Sequence, residues 1–149
     1  MGEARFYHLQ RSALESALPR LLLKTLERGW RAVVLAGSPE RVQALNQHLW
    51  TFDPASFLPH GAAGDGDAER QPIWLTCLEE NPNGAQALML VDGMAADDLA
   101  GFEVVCDLFD GRDAEAVAAA RRRWTACKAK GLAMSYWQEG ERGGWERKA

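Results

Sequence analysis

The 149-residue sequence contains few cysteines, no long hydrophobic run and no excess of positive charge. Cys77, Cys106 and Cys127 are far apart, and an odd number without paired spacing argues against a disulfide framework and against a zinc site. No stretch approaches the roughly 18 consecutive apolar residues that a membrane span needs. The net charge of −4 argues against a chain that coats nucleic acid as a whole.

The motifs of the common enzyme classes are also absent. The sequence contains no G-x-G-x-x-G and no G-x-x-x-x-G-K-[ST], so we expect no nucleotide cofactor. The three histidines are scattered and no G-x-S-x-G occurs, so we expect neither a metal nor a catalytic residue. The N-terminus lacks the charged-then-apolar order of a signal peptide, and a cytoplasmic, non-enzymatic protein is the expectation.

Apolar runs that alternate with helical patterns indicate an α/β fold. Runs at 30–36, 72–78, 87–91 and 102–109 are typical of buried strands, and amphipathic segments lie between several of them. We therefore predict one α/β domain over residues 1–138, with a mostly parallel twisted sheet flanked by helices, resembling a nucleotide-binding fold without its phosphate loop. Residues 139–149 are charged and contain glycine, and we expect a mobile C-terminal tail there.

The most informative stretch is a predicted helix over 113–130, which is rich in alanine at its start and in basic residues later. It contains five bases and two acids, although the chain as a whole is acidic. At about 100° per residue, five of its side chains share one face: Val117, Arg121, Trp124, Thr125 and Lys128. This face is either a receptor for an acidic, partly apolar peptide or a solvated basic surface with its indole against the sheet.

Arg123 does not fit that face. It projects into the small-residue arc that should contact the sheet, which also contains Ala116, Ala119 and Ala120. A guanidinium placed there must either find a carboxylate or reach solvent through its tip.

Large apolar residues also cluster in an irregular, proline-containing segment after the second predicted helix. Trp50, Phe52, Phe57 and Pro59 belong to it. Exposed aromatic residues on a segment fixed by prolines are typical of an interface. The alternative is that these side chains cap the edge of the sheet.

An ordered set of short motifs resembles the chi subunit family of bacterial DNA polymerase III holoenzyme over nearly the whole chain. The set comprises Phe6-Tyr7, Leu49-Trp50, Phe57-Leu58-Pro59-His60-Gly61, Pro72-Ile73-Trp74-Leu75, Leu90-Val91-Asp92-Gly93, Val105-Cys106-Asp107-Leu108-Phe109-Asp110-Gly111, Ala120-Arg121-Arg122-Arg123-Trp124, Lys128 and Gly131.

The resemblance implies a non-catalytic adaptor in the clamp-loader assembly with two protein partners. The basic helix, with Arg121 and Trp124 at matching positions, would hold the acidic C-terminal tail of single-stranded-DNA-binding protein. The aromatic segment would pack against the psi subunit. Val117 and Thr125 stand where a family member can have lysine, which makes the pocket less basic. The rival interpretation is a nucleotide-binding enzyme on a Rossmann-like fold.

Overall fold

The computed structural model describes residues 2–51, 59–62, 66–99, 101–141 and 144–149. Within these ranges the chain forms three α-helices, one short 3₁₀ turn at Ala68–Arg70 and eight strands. The helices are α1 (Leu14–Glu27), α2 (Pro39–Thr51) and α3 (Ala114–Ala129). The strands are β1 (Glu3–Leu9), β2 (Ala32–Leu35), β3 (Gly61–Ala62), β4 (Ile73–Thr76), β5 (Ala87–Leu90), β6 (Val104–Asp110), β7 (Ala133–Glu139) and β8 (Trp145–Arg147).

The strands form a single sheet in the order β3-β4-β2-β5-β6-β1-β7-β8. Every neighbouring pair is parallel except β7 and β8, which are antiparallel. The central strands β2, β4 and β5 are buried along their whole length, as their continuous apolar runs predict. The predicted α/β class with a mostly parallel sheet is confirmed.

The helices divide between the two faces of the sheet. Leu18, Leu22 and Leu45, from α1 and α2, pack in one apolar cluster, while Ala120 and Cys127 of α3 pack in the other. Consequently β1 is followed by a helix on one face, and its neighbour β6 is followed by a helix on the opposite face. A sheet of this kind has its topological switch point between those two strands. In the described part of the chain, no helix is long and apolar enough to cross a membrane.

The proline inside α1 is accommodated by a contact from α2. Pro19 has no N–H, so the Glu15 carbonyl loses the hydrogen bond that a helix interior would give it. In the structure His48 Nε2 donates to that carbonyl at 2.6 Å. The helix therefore begins at Leu14 and continues through the proline, because a side chain of another helix satisfies the freed acceptor.

The tail predicted at 139–149 is corrected by the last two strands. Glu139 is the final residue of β7 rather than the start of a separate segment, and it is buried. Its carboxylate accepts the N–H groups of Gln10, Arg11 and Ser12 at 2.9–3.0 Å. Trp145–Arg147 then form β8, paired with 137–139 at the edge of the sheet. Strand pairing and an internal acceptor role override what a charged, glycine-containing composition indicates.

Candidate functional site

Helix α3 forms because its sequence favours a helix at both ends and in the middle. The Asp113 side chain caps the first turn by accepting the N–H of Glu115 at 3.0 Å. Alanine, which has the highest helix propensity, fills much of the first half. Glu115 lies in the first turn and Lys128 in the last, so both complement the helix dipole. Gly131 follows with a φ of +84°, a left-handed conformation suited to glycine after a helix.

A cavity of about 190 Å³ lies between α3 and the sheet, and we call it the α3 pocket. Three side chains of the predicted receptor face line it: Val117, Arg121 and Trp124. The other lining residues come from β1, β6, β7 and the helix interior: Phe6, Phe109, Tyr136 and Ala120. The walls are thus mostly aromatic, with one guanidinium at the rim.

The aromatic rings hold Trp124 at an angle to its neighbours. The Trp124 and Phe6 ring centroids are 5.3 Å apart with an interplanar angle of 69°. Tyr136 lies 6.2 Å from Trp124 at 74°, and Phe109 lies 6.3 Å from Tyr136. Edge-to-face geometry is favourable for aromatic groups, so these walls could accept a further ring. The indole is half-buried and therefore still presents surface to the pocket.

Arg121 supplies the charge of the pocket. Its side chain is exposed, and no carboxylate within the described ranges forms an ion pair with it. Its field reaches the pocket wall: burial raises the pKa of Tyr136, and the nearby Arg121 charge opposes that shift. An uncommitted guanidinium beside an aromatic cavity can bind a carboxylate while an apolar group fills the space below it.

Arg123, two residues further along the helix, has the opposite environment. Its guanidinium binds both carboxylate oxygens of Asp107 on β6, at 2.6 and 3.0 Å. The Asp107 and Arg123 side chains are 2% and 11% exposed. Burial raises the pKa of Asp107, and the guanidinium partly offsets that rise. The requirement that Arg123 find a carboxylate or solvent is met by an internal carboxylate.

The structure places the remaining predicted receptor residues outside the pocket walls. Thr125 and Lys128 are exposed on α3 but do not line the cavity, and the Thr125 hydroxyl donates to the Arg121 carbonyl at 3.1 Å. The strand residues that do line it were absent from the predicted set. Alternation along β1 and β7 could have indicated Phe6 and Tyr136, since both point to one face and are direct partners in the register.

The aromatic segment after α2 is described only in part. Trp50 is 52% exposed at the end of α2, and Pro59 is half-buried. The Trp50 ring packs against His60, with centroids 4.2 Å apart. His60 is buried and its Nε2 donates to the Asn46 carbonyl at 3.2 Å. Phe52 and Phe57 lie outside the described residues.

A second concave region lies at the switch point, and we call it the carboxyl-end crevice. It has a volume of about 550 Å³ and lies among the carboxyl ends of β1, β5 and β6. Its arginines are Arg41, Arg112 and Arg123, and each is paired with a carboxylate of the chain: Asp92 at 3.0 Å, Asp110 at 3.0 Å and Asp107 at 2.6 Å. Each of these arginines therefore already has a carboxylate partner within the chain, and of the three pairs Arg123–Asp107 is the buried one.

Asp92 also occupies the position that an anion would take at the start of α2. Its carboxylate accepts the N–H of Gly37 at 3.0 Å, immediately before Ser38. Helix N-termini of this kind bind phosphate through free backbone N–H groups. Asp92 itself adopts a left-handed conformation, with φ +56°, to place its side chain there. The chain thus fills a potential phosphate site with its own carboxylate.

Comparison with known proteins identifies the family. The family model described as "DNA polymerase III chi subunit, HolC" matches residues 1–135. The "Probable DNA polymerase III subunit chi" of Rickettsia prowazekii (strain Madrid E) is 31% identical over 91 residues. That alignment covers 61% of this chain and only 55% of the relative's length. Because the family model spans most of the sequence, the chain belongs to the DNA polymerase III chi subunit family.

Proposed function

We propose that this chain is a non-catalytic replication adaptor with two protein-binding surfaces. The α3 pocket would bind the acidic C-terminal tail of single-stranded-DNA-binding protein, and the surface around Trp50 would pair with the psi subunit of the polymerase assembly. Family membership supports an accessory role in DNA replication. The observation on which the tail proposal rests is an uncommitted Arg121 at the rim of a cavity lined by Trp124 and Tyr136.

The geometry matches a tail that presents carboxylates together with a terminal aromatic side chain. The Arg121 guanidinium would bind a carboxylate, and charge-assisted hydrogen bonds of this type contribute roughly 1.5–3 kcal/mol. The cavity of about 190 Å³ would hold the ring, since its walls are the side chains of Trp124, Phe6, Phe109 and Val117. Lys128, one turn beyond Trp124 on the exposed surface, would attract further acidic residues without direct contact.

The carboxyl-end crevice supports the non-catalytic part of the proposal. In an α/β sheet a nucleotide would bind at this crevice, which is where the rival enzyme hypothesis must place its substrate. Phosphate binding there would require Arg41, Arg112 or Arg123 to leave its carboxylate. It would also have to displace Asp92 from the Gly37 N–H. Both costs disfavour a phosphorylated ligand.

Trp50 supports the second surface. Trp50 is 52% exposed at the end of α2, and tryptophan is enriched at interface hot spots. Pro59 and His60 lie beside it and are described, whereas Phe52 and Phe57, which we predict to extend the same surface, are not. The proposal thus separates a psi surface near α2 from a tail pocket under α3.

The test compares three variants against two partners. In a titration with a labelled peptide that is acidic and ends in phenylalanine, Arg121→Ala and Trp124→Ala should each weaken binding about 10- to 100-fold. The Arg121→Ala difference should be largest at low salt, because the guanidinium is exposed and screened by ions. Trp50→Ala is the matched control: it should leave the tail affinity unchanged and disrupt the heterodimer with psi in size-exclusion chromatography.

Titration curves of Arg121→Ala and Trp124→Ala that superimpose on the wild-type curve would refute the tail site. An intact heterodimer with Trp50→Ala would refute the psi surface. A thermal-shift screen with ATP, GTP and NAD addresses the rival class, since a specific ligand raises the unfolding temperature. We expect no shift from any of the three.

A further inference from the structure

A second groove with aromatic and basic walls lies on the opposite face of the sheet from α3. Helix α1 forms one wall, and the strands β1, β7 and β8 form the other. Its volume is about 210 Å³, close to that of the α3 pocket. It is separate from the α3 pocket, from the carboxyl-end crevice and from Trp50, and none of the roles discussed above uses it. We call it the α1–β8 groove.

The strand wall of the α1–β8 groove is a cluster of aromatic rings. The Tyr7 ring lies 4.9 Å from Trp145 at an interplanar angle of 71°, and 6.4 Å from Trp137 at 23°. Tyr7 is buried and both indoles are half-buried, so the cluster is anchored in the core at one side and open at the other. Trp145 reaches this position only because β8 pairs with β7.

The α1 wall is basic. Lys24 of α1 and Arg28, which caps its C-terminus, line this side of the groove, Arg5 of β1 lines the other, and none of the lining residues is acidic. Arg5 is paired with Glu3 at 2.8 Å. In the described part of the chain, neither Lys24 nor Arg28 forms an ion pair, and the Arg28 guanidinium lies 3.8 Å from the centre of the Trp30 ring. An acidic chain thus has a local patch with two cations that lack a carboxylate partner in the described ranges, beside two half-buried indoles.

We propose that the α1–β8 groove binds an acidic segment of a partner protein that inserts one apolar side chain between α1 and Trp145. Tryptophan, tyrosine and arginine are the residues enriched at protein interfaces and their hot spots. The cations select an acidic partner by charge complementarity. A nucleic acid is disfavoured, because two free cations on a chain of net charge −4 neutralise few phosphates. This inference does not depend on the proposed function of the α3 pocket.

The probe is an acetylated, C-terminally amidated peptide with one phenylalanine flanked on each side by three aspartates. The amide removes the terminal carboxylate, and comparing the Lys24 and Arg28 variants with Arg121→Glu assigns the binding to the α1–β8 groove or to the α3 pocket. We expect saturable binding in fluorescence anisotropy, weakened about tenfold by Lys24→Glu and by Arg28→Glu. Both side chains are exposed, so we expect both variants to fold, although Arg28→Glu also removes the cation–π contact with Trp30. Trp145→Ala should weaken binding by a similar factor.

Arg122→Glu is the matched control, since it makes the same change in net charge at an exposed position of α3. It should bind the amidated peptide within about twofold of wild type. The proposal is overturned if the wild-type chain does not bind the peptide, or if Arg121→Glu weakens binding as much as Lys24→Glu. It is also overturned if Lys24→Glu abolishes binding of a 12-nucleotide oligothymidylate or self-association in sedimentation, since the groove would then serve nucleic acid or a second copy.

Discussion

The α3 pocket and the carboxyl-end crevice both contain arginines, and they differ in what those arginines contact. In the crevice Arg41, Arg112 and Arg123 are each held by a carboxylate of the chain. At the α3 pocket Arg121 is exposed and no carboxylate in the described ranges pairs with it. The crevice is the larger cavity and lies where α/β sheets bind ligands, yet each of its arginines already has a carboxylate partner in the chain.

This comparison indicates that a binding site is distinguished by a cation without an internal carboxylate partner. The number of charges and the size of the cavity do not distinguish it from a set of structural ion pairs. Arg121 and Arg123 are two positions apart on α3, so they point about 200° apart around the helix. One faces the rim of an aromatic pocket, and the other is clamped between α3 and β6. The direction in which each side chain leaves the helix therefore decides whether the arginine lies at the pocket rim or in the internal ion pair.

Arg123→Ala should give the largest change, because it tests whether the crevice cations are structural. Removing one partner of a buried ion pair leaves the Asp107 carboxylate uncompensated and costs about 3–5 kcal/mol of unfolding free energy. Arg121→Ala, the matched control on the exposed side of the same helix, should change it by no more than about 0.5 kcal/mol. Urea denaturation measures both. Equal losses of unfolding free energy in the two variants would contradict the distinction between Arg123, which pairs with an internal carboxylate, and Arg121, which does not within the described ranges.

Asp92→Gly should create an anion-binding site in the crevice by removing the carboxylate that occupies it. Glycine adopts the positive φ of this position, and its lack of a carboxylate frees the Gly37 N–H and leaves Arg41 with only its longer 3.7 Å contact to Glu15. We expect a loss of about 1–2 kcal/mol in unfolding free energy. Inorganic phosphate should then raise the unfolding temperature of the variant and leave that of the wild type unchanged. A variant that also contains Arg41→Ala should lose the phosphate effect, and a phosphate response in the wild type would contradict the comparison.

The smallest expected effect is a pH dependence from His8, which borders the wall of the α3 pocket. His8 Nδ1 hydrogen-bonds the Tyr136 hydroxyl, and its ring packs against Gly111. Burial lowers the pKa of His8, and the Gly111 backbone and Asp110 oppose that shift only in part. A lowered pKa in the folded state means that the neutral ring stabilises the fold above about pH 6.5. That contribution is lost as the pH falls through the folded-state pKa.

The measurement for His8 is the unfolding free energy of wild type and His8→Gln between pH 7.5 and 5. The wild-type value should decline more steeply than that of the variant, since other groups titrate equally in both. Parallel curves of unfolding free energy against pH would show that the titration of His8 does not contribute to the stability of the fold.

The sequence was sufficient for the elements whose signals are local. Ser38 and Pro39 predict the start of α2, where the Ser38 hydroxyl accepts the Arg41 N–H at 3.2 Å. The alanine-rich stretch and Asp113 predict α3, and the continuous apolar runs predict the buried parallel strands. Pro19 was ambiguous, because its outcome depends on His48 from another helix. For residues 139–149 a charged, glycine-containing composition indicates a tail, and it does not indicate the contacts of Glu139 with the N–H groups of Gln10, Arg11 and Ser12, because these contacts join distant parts of the chain.

By itself the sequence determined that α3 would present a basic, aromatic face, because helical periodicity alone places Val117, Arg121 and Trp124 together. It also determined that Arg123 needed a carboxylate or solvent, since its direction follows from the same periodicity. Only the tertiary structure decided that the partner is Asp107, that Phe6, Phe109 and Tyr136 complete the pocket, and that Thr125 and Lys128 stay outside it. The physical reason is that a helix fixes directions along one element, whereas a cavity is defined by which strands the sheet order brings beneath it.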